Sequence, residues 1–140
     1  MTSLLDGMHI AFVDDEPYAM RPTIEALEAR GAVVELLIDG SQILEYIKTH
    51  KGSLPDLVVL DIMLTEGPDI KTEDEGRSTG VEVYRRIRRE HRLIPIVIST
   101  VVSDGSILAA FGNDRRTAVV TKPYYFDDLC RAIERVTQKR

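Results

Sequence analysis

Three carboxylates stand at or near the ends of apolar runs in the sequence. Asp14 and Asp15 follow the run at 8–13 (MHIAFV), and Asp61 lies within the run at 57–64 (LVVLDIML). Carboxylates that share one site repel each other and are costly to desolvate unless a cation joins them. Their oxygen ligands suit Mg²⁺ better than zinc, and no His or Cys lies beside them in the sequence. A carboxylate beside Mg²⁺ can also act as a nucleophile toward phosphorus.

Two further polar groups end apolar runs. Thr100 closes the run at 94–100 (IPIVIST), and Lys122 follows the run at 117–121 (TAVVT). An ammonium group can neutralise charge on phosphoryl oxygens, and a hydroxyl can donate a hydrogen bond to one of them. The five residues therefore indicate phosphoryl chemistry if the fold brings them together.

The order of the predicted strands and helices indicates that the fold brings these five residues together. Short apolar runs alternate with stretches of helical periodicity. The predicted strands are 8–13, 32–38, 57–64, 94–100 and 117–121. Five helices are predicted. The first runs from Pro17 to Arg30, the second begins at a cap at Ser41, and the third contains Val81 and Ile87. The fourth begins at Ser103 or Asp104 and ends at Gly112, and the fifth covers Phe126 to Val136. Such alternation predicts an α/β fold whose parallel sheet is covered on both faces, with the carboxyl ends of its strands along one edge.

Length and composition fit a globular chain. The 140 residues, 44% of them hydrophobic and 29% charged, predict one domain over 1–140. A net charge of −5 argues against direct nucleic-acid binding, and the arginine run at 85–89 is interpreted as a solvated helix face. Cys130 is the only cysteine, so we expect a reducing compartment, the cytoplasm. No apolar stretch is long enough to predict membrane insertion.

Four pieces in order carry a family resemblance: FVDDE at 12–16, PDLVVLDIML at 55–64, IPIVIST at 94–100 and VTKPY at 120–124. With this order and spacing, the chain resembles the response-regulator receiver domains of bacterial two-component signalling, the CheY-like superfamily. The resemblance covers nearly the whole chain. It implies a three-layer, flavodoxin-like (βα)5 sandwich, with a five-stranded parallel sheet in the order 2-1-3-4-5.

The resemblance also implies roles for the site residues. Asp61 is expected to accept a phosphoryl group from the phosphohistidine of a sensor histidine kinase or histidine phosphotransfer protein. Asp15, Asp61 and the Met63 backbone carbonyl are expected to contact Mg²⁺, with Asp14 contributing through water. The domain would then change its binding to a downstream protein whose identity the sequence does not give.

Two more residues complete the implied site. Thr100 rather than Ser99 is expected to be the signalling hydroxyl, because it lies five residues after Pro95. The peptide bond between Lys122 and Pro123 is expected to be cis, which places the ammonium in the site.

The sequence departs from the family pattern in three places. Val119 stands where an aromatic switch residue is usual, and Val101 stands where Ala or Gly is usual. We expect the branched Val101 to slow both phosphoryl transfer from small donors and hydrolysis. The third departure is an extended acidic loop at about 65–79, so that Gly80 lies nineteen residues after Asp61. This loop is interpreted as an ordered lid, a partner-docking element or a solvated segment.

Three functions compete at this point. The favoured one is a phosphorylatable receiver that acts alone or within a phosphorelay. The alternative is a receiver-like scaffold that binds its partner without phosphorylation, which Val119 and Val101 make less surprising. A Mg²⁺-dependent phosphohydrolase is disfavoured, because such enzymes usually carry a second Asp two residues after the nucleophile, where this chain has Met63. We therefore expect no turnover enzyme.

Overall fold

The computed structural model describes residues 3–64, 67–68, 79–101 and 105–138. Its five strands are β1 (His9–Val13), β2 (Val33–Leu37), β3 (Leu57–Leu60), β4 (Ile96–Thr100) and β5 (Thr117–Thr121). Its helices are α1 (Pro17–Ala29), α2 (Gly40–Thr49), α3 (Thr79–Glu90), the short α4 (Gly105–Leu108), which continues into a 3-10 turn at Ala109–Phe111, and α5 (Phe126–Thr137).

The strands form one parallel sheet in the order β2-β1-β3-β4-β5, as the resemblance predicted. Alternate residues of each strand face opposite sides, so the sheet feeds two apolar cores. On one side Val13, Leu60 and Ile98 pack with buried residues of α2 and α3. On the other side Phe12 and Val59 pack with buried residues of α1 and α5. This three-layer arrangement fixes the strand ends from both faces.

The third strand is shorter than its apolar run predicted. The pairing of β1 with β3 ends at Val13 opposite Leu60, so Asp61 lies just beyond the strand rather than inside it. Ile62 and Leu64 are nevertheless buried, at 0% and 2% exposed. Their apolarity reflects packing of the loop against the core and not strand pairing.

A glycine ends the first helix, whereas the predicted cap of the second helix is wrong. Gly31 follows α1 with a φ of 95°, a left-handed conformation that glycine adopts without strain. The cap of α2 was predicted at Ser41, but the N-cap is Asp39, whose carboxylate accepts a hydrogen bond from the Gln42 backbone N–H. The predicted starts of the fourth helix, Ser103 and Asp104, lie outside the described residues, as do most residues of the 65–79 loop.

The arginine run was wrongly interpreted at Arg88. Arg85 and Arg89 are exposed, but the Arg88 side chain is only 13% exposed and pairs with Asp114, which precedes β5. Asp114 also accepts hydrogen bonds from Tyr84 and Thr117. This polar network joins α3 to the start of β5 at the amino-terminal edge of the sheet.

No helix in the described part of the chain combines the length and apolarity that crossing a membrane requires.

Candidate functional site

The register of the central strands brings Asp14 and Asp61 together. Both residues follow directly after the paired residues Val13 and Leu60. Their backbones continue the ladder for one step, because the Asp61 N–H donates to the Val13 carbonyl over 3.1 Å and the Asp14 N–H donates to the Leu37 carbonyl over 3.0 Å. The side chains at the carboxyl edge are thus placed by the sheet itself.

Asp14, Asp15 and Asp61 form an acidic cluster in the structure. One carboxylate oxygen from each lies within 4.8 Å of the others. Asp14 is 1% exposed and Asp61 is 7% exposed, while Asp15 is half-buried. Three carboxylates this close and this buried repel one another unless positive charge lies among them. Oxygen donors in this number fit a hard divalent cation such as Mg²⁺.

The structure supplies one positive charge from Lys122. Its ammonium donates to Asp14 Oδ2 over 2.7 Å and to Asp61 Oδ2 over 3.1 Å. The Lys122 backbone N–H donates to the Thr100 carbonyl over 2.7 Å, which ties the end of β5 to the end of β4. The Lys122–Pro123 peptide bond is cis, as predicted. Lys122 therefore bridges the two most buried carboxylates of the cluster.

Burial and charge oppose each other at this ion pair. Burial raises the pKa of Asp61 above its usual value, against the opposing influence of the Lys122 ammonium and the Met63 N–H. Burial alone would lower the pKa of Lys122, but its hydrogen bond to Asp14 and the charge of Asp61 outweigh burial and raise it. Lys122 is therefore held in its cationic form between the two carboxylates.

The loop that leaves Asp61 turns at once. Asp61 Oδ1 accepts a hydrogen bond from the Met63 N–H over 3.0 Å, which orients the carboxylate. The loop returns at Gly80, whose N–H donates to the Ile62 carbonyl over 2.8 Å. A Cβ at Gly80 would lie 2.2 Å from the Asp61 carbonyl oxygen and 2.4 Å from the Ile62 Cα. Only glycine lets α3 begin this close to the site.

Thr100 is the last residue of β4 and is fully buried. Its register partner is Thr121, the residue before Lys122. The two unusual valines lie nearer the surface, because Val101 is 59% exposed and Val119 on β5 is 38% exposed. A valine side chain at 119 leaves that part of the surface without the large ring usual in the family.

One pair of side chains at this edge was not predicted from the sequence. The hydroxyls of Ser99 and Tyr124 lie 3.3 Å apart and link β4 to the segment before α5. Burial raises the pKa of Tyr124. Tyr125, in contrast, is 83% exposed and forms the N-cap of α5. The fold therefore packs Tyr124 against the core and leaves its neighbour Tyr125 on the surface.

Comparisons with known proteins agree with this geometry. The profile of the response regulator receiver domain matches residues 10–134. The probable methanogenesis regulatory protein FilR2 of Methanothrix harundinacea is 31% identical, over 95% of this chain and 83% of its own length. The transcriptional regulatory protein CseB of Streptomyces coelicolor is 32% identical over 86% of this chain. This chain spans 45% of CseB, about half the length of that relative.

Solved structures share the fold. A CheY-like receiver domain protein of Methanospirillum hungatei superimposes with a TM-score of 0.73, covers 92% of both chains and is 22% identical. The BeF3-activated receiver domain of DrrB, a response regulator of Thermotoga maritima, gives a TM-score of 0.68 at 27% identity. It covers 95% of this chain and 99% of its own. The fold of this chain thus has counterparts among solved structures.

Proposed function

This chain belongs to the family of response regulator receiver domains of two-component signalling, and we propose that it accepts a phosphoryl group on Asp61 from a sensor histidine kinase or a histidine phosphotransfer protein. Phosphorylation then changes its binding to a downstream protein. The single cysteine suits a reducing compartment, so the cytoplasm is the proposed location.

The double contact of Lys122 with Asp14 and Asp61 is the observation that carries this proposal. A half-buried lysine that bonds two buried carboxylates beside a third carboxylate is a costly arrangement for a merely structural ion pair, because these charged groups lose much of their water. The same arrangement suits phosphoryl transfer, in which negative charge must be accepted at this edge.

The proposed reaction assigns a task to each side chain. A carboxylate oxygen of Asp61 attacks phosphorus, and the bond between phosphorus and the donor's imidazole nitrogen breaks as the new oxygen–phosphorus bond forms. Lys122 neutralises charge on the transferred group, and the Thr100 hydroxyl donates to one of its oxygens. The Met63 N–H holds the Asp61 carboxylate by one oxygen.

The acidic cluster is proposed to hold Mg²⁺. Asp15, Asp61 and the Met63 carbonyl would be its direct ligands, and Asp14 would contribute through water. When bound, the ion supplies positive charge to the phosphoryl oxygens and offsets the repulsion within the cluster. The protein is proposed to promote its own phosphorylation and dephosphorylation without being a turnover enzyme.

Phosphorylation is tested by incubating the protein with Mg²⁺ and acetyl phosphate and measuring the intact mass. We expect the mass of one phosphoryl group to be added to most molecules, and no addition to Asp61→Asn. Asp127→Asn is the matched control, because Asp127 is an exposed aspartate on α5. This control should be phosphorylated like the unaltered chain.

The other outcomes separate the competing functions. If neither the donor nor beryllofluoride changes the protein, and a partner binds Asp61→Asn as well as the unaltered chain, the scaffold function is correct. If the donor is consumed over many turnovers without an accumulated adduct, the protein is a phosphohydrolase and the proposal fails.

A further inference from the structure

An arginine-lined cleft of about 630 Å³ lies at the amino-terminal edge of β4 and β5. Its walls come from the segment after α3, the turn before β5 and the end of α5. Each of these elements contributes arginine: Arg92, Arg115, Arg116 and Arg135. Three separate parts of the chain therefore place the same side chain around one space.

A second cleft of about 460 Å³ adjoins the first. Arg85, Arg88 and Arg89 of α3 line it together with Arg92, and Arg92 and Asp114 line both clefts. Seven different arginines thus line the two spaces, and no lysine does so among the described residues. We call these two spaces the arginine clefts. The charge is concentrated in this way on a chain whose net charge is −5.

Most of this charge is uncompensated within the described residues. Asp114 is the one acidic side chain lining the clefts in that part of the chain, and its partner is Arg88. Arg92, Arg115 and Arg135 form no ion pair with another described residue. The C-terminal ends of α3 and α5 contribute roughly half a negative charge each. Two such ends do not balance the arginines, so helix-end compensation alone does not explain the cluster.

The arginine clefts show that a chain with a net charge of −5 can still carry a locally concentrated basic surface, so the net charge does not exclude a phosphate-bearing ligand. A guanidinium group presents a planar fork of donors that matches a phosphate with two hydrogen bonds. The volumes of both clefts lie within the range that is common for small-molecule sites. The clefts also lie at the opposite edge of the sheet from Asp61, about 15 Å away by the length of a five-residue strand.

We propose that the arginine clefts bind a ligand that carries two or more phosphate groups, either a free nucleotide or a nucleic-acid strand. This site is separate from the carboxylate cluster and does not depend on phosphorylation of Asp61. The ligand would contact α3, the turn before β5 and α5 together.

Binding is tested with three probes in low salt with EDTA, which keeps divalent cations from the carboxylates. The probes are pyrophosphate, ATP and a short single-stranded oligonucleotide, measured by calorimetry or fluorescence anisotropy. The test variant is Arg115→Gln with Arg135→Gln, since both side chains are exposed. The matched control is Arg21→Gln with Arg131→Gln, two exposed arginines outside the clefts.

We expect the cleft variant to lose affinity about tenfold or more, and the control variant to lose less than about twofold. Loss of ATP or pyrophosphate binding identifies a small phosphate ligand, whereas loss confined to the oligonucleotide identifies a nucleic-acid strand. The affinity should also fall as salt is added.

The proposal is overturned if no probe binds more tightly than about 1 mM, or if the cleft variant binds as well as the control. It is also overturned if polyglutamate binds as tightly as the phosphate probes, because the clefts would then select negative charge and not phosphate. Circular dichroism of both variants confirms that the fold is intact. None of these outcomes depends on phosphorylation of Asp61.

Discussion

Replacing Arg88 by Met should destabilise the fold substantially. Arg88 forms an ion pair with Asp114 through its Nε. Its terminal nitrogens donate to the backbone carbonyls of His91, Ile94 and Arg116 and to the Thr117 hydroxyl, over 2.6 to 3.1 Å. Methionine keeps an apolar stem of similar length but satisfies none of these acceptors.

The magnitude follows from the burial of both partners. Removing one member of a buried ion pair costs about 3–5 kcal/mol. The Asp114 side chain is 24% exposed and can recover some hydration, so the lower end, about 3 kcal/mol, is expected here. At about 2.1 cal/mol/K of unfolding entropy per residue, this corresponds to a fall in Tm of roughly 10 °C for 140 residues.

Urea and thermal unfolding followed by far-UV circular dichroism measure this change, since the chain has no tryptophan to report it. The matched control is Arg89→Met on the same helix, where the side chain is exposed and the expected change is within about 0.5 kcal/mol. If Arg88→Met costs less than about 1 kcal/mol, or no more than Arg89→Met, the network does not stabilise the junction of α3 and β5.

Three more predictions concern other positions. Val101→Ala should speed both phosphorylation by acetyl phosphate and loss of the phosphoryl group, measured by intact mass over time; unchanged rates would show that Val101 does not crowd the site. Burial alone would raise the pKa of Asp114, but hydrogen bonds from Tyr84 and Arg88 outweigh it and lower the pKa from 3.8 to about 2. A lowered pKa in the folded state stabilises the fold above pH 3.8, and this stabilisation is lost as pH falls toward 2. The urea midpoint of the unaltered chain should therefore fall across that pH range, and the midpoint of Asp114→Asn should fall less. Gly80→Ala should lower stability and slow phosphorylation together, because the new Cβ would meet the Asp61 and Ile62 backbone at 2.2 and 2.4 Å; equal stability would mean that α3 shifts freely.

The sequence predicted the sheet well because its signals are local. Thr117–Thr121 is an apolar run whose pairing with β4 covers its whole length, and its predicted and observed bounds agree. The strand predicted over 57–64 is four residues longer than the observed strand β3. Apolar residues there indicate burial, but the strand lasts only as long as its neighbour β1, which ends opposite Leu60.

The site residues were found by the same strand-end logic. Asp14, Asp15 and Asp61 were predicted to meet, and the parallel register brings their oxygens together. The two hydrogen bonds of the Lys122 ammonium could not be predicted from the sequence. Asp14 lies 108 positions before Lys122 and Asp61 lies 61 positions before it, so the contacts depend on the folded geometry. Arg88 was misjudged for the same reason, since its partner Asp114 lies 26 residues away on another element.

The most direct test of the account is to locate the phosphoryl group on the chain. After incubation with Mg²⁺ and a histidine kinase or acetyl phosphate, borohydride reduces an aspartyl phosphate to homoserine, and peptide mass spectrometry finds the altered position. We expect homoserine at position 61 and at no other aspartate. Homoserine at Asp14 or Asp15, or a stable phosphate on Thr100 with Asp61 unaltered, would contradict it.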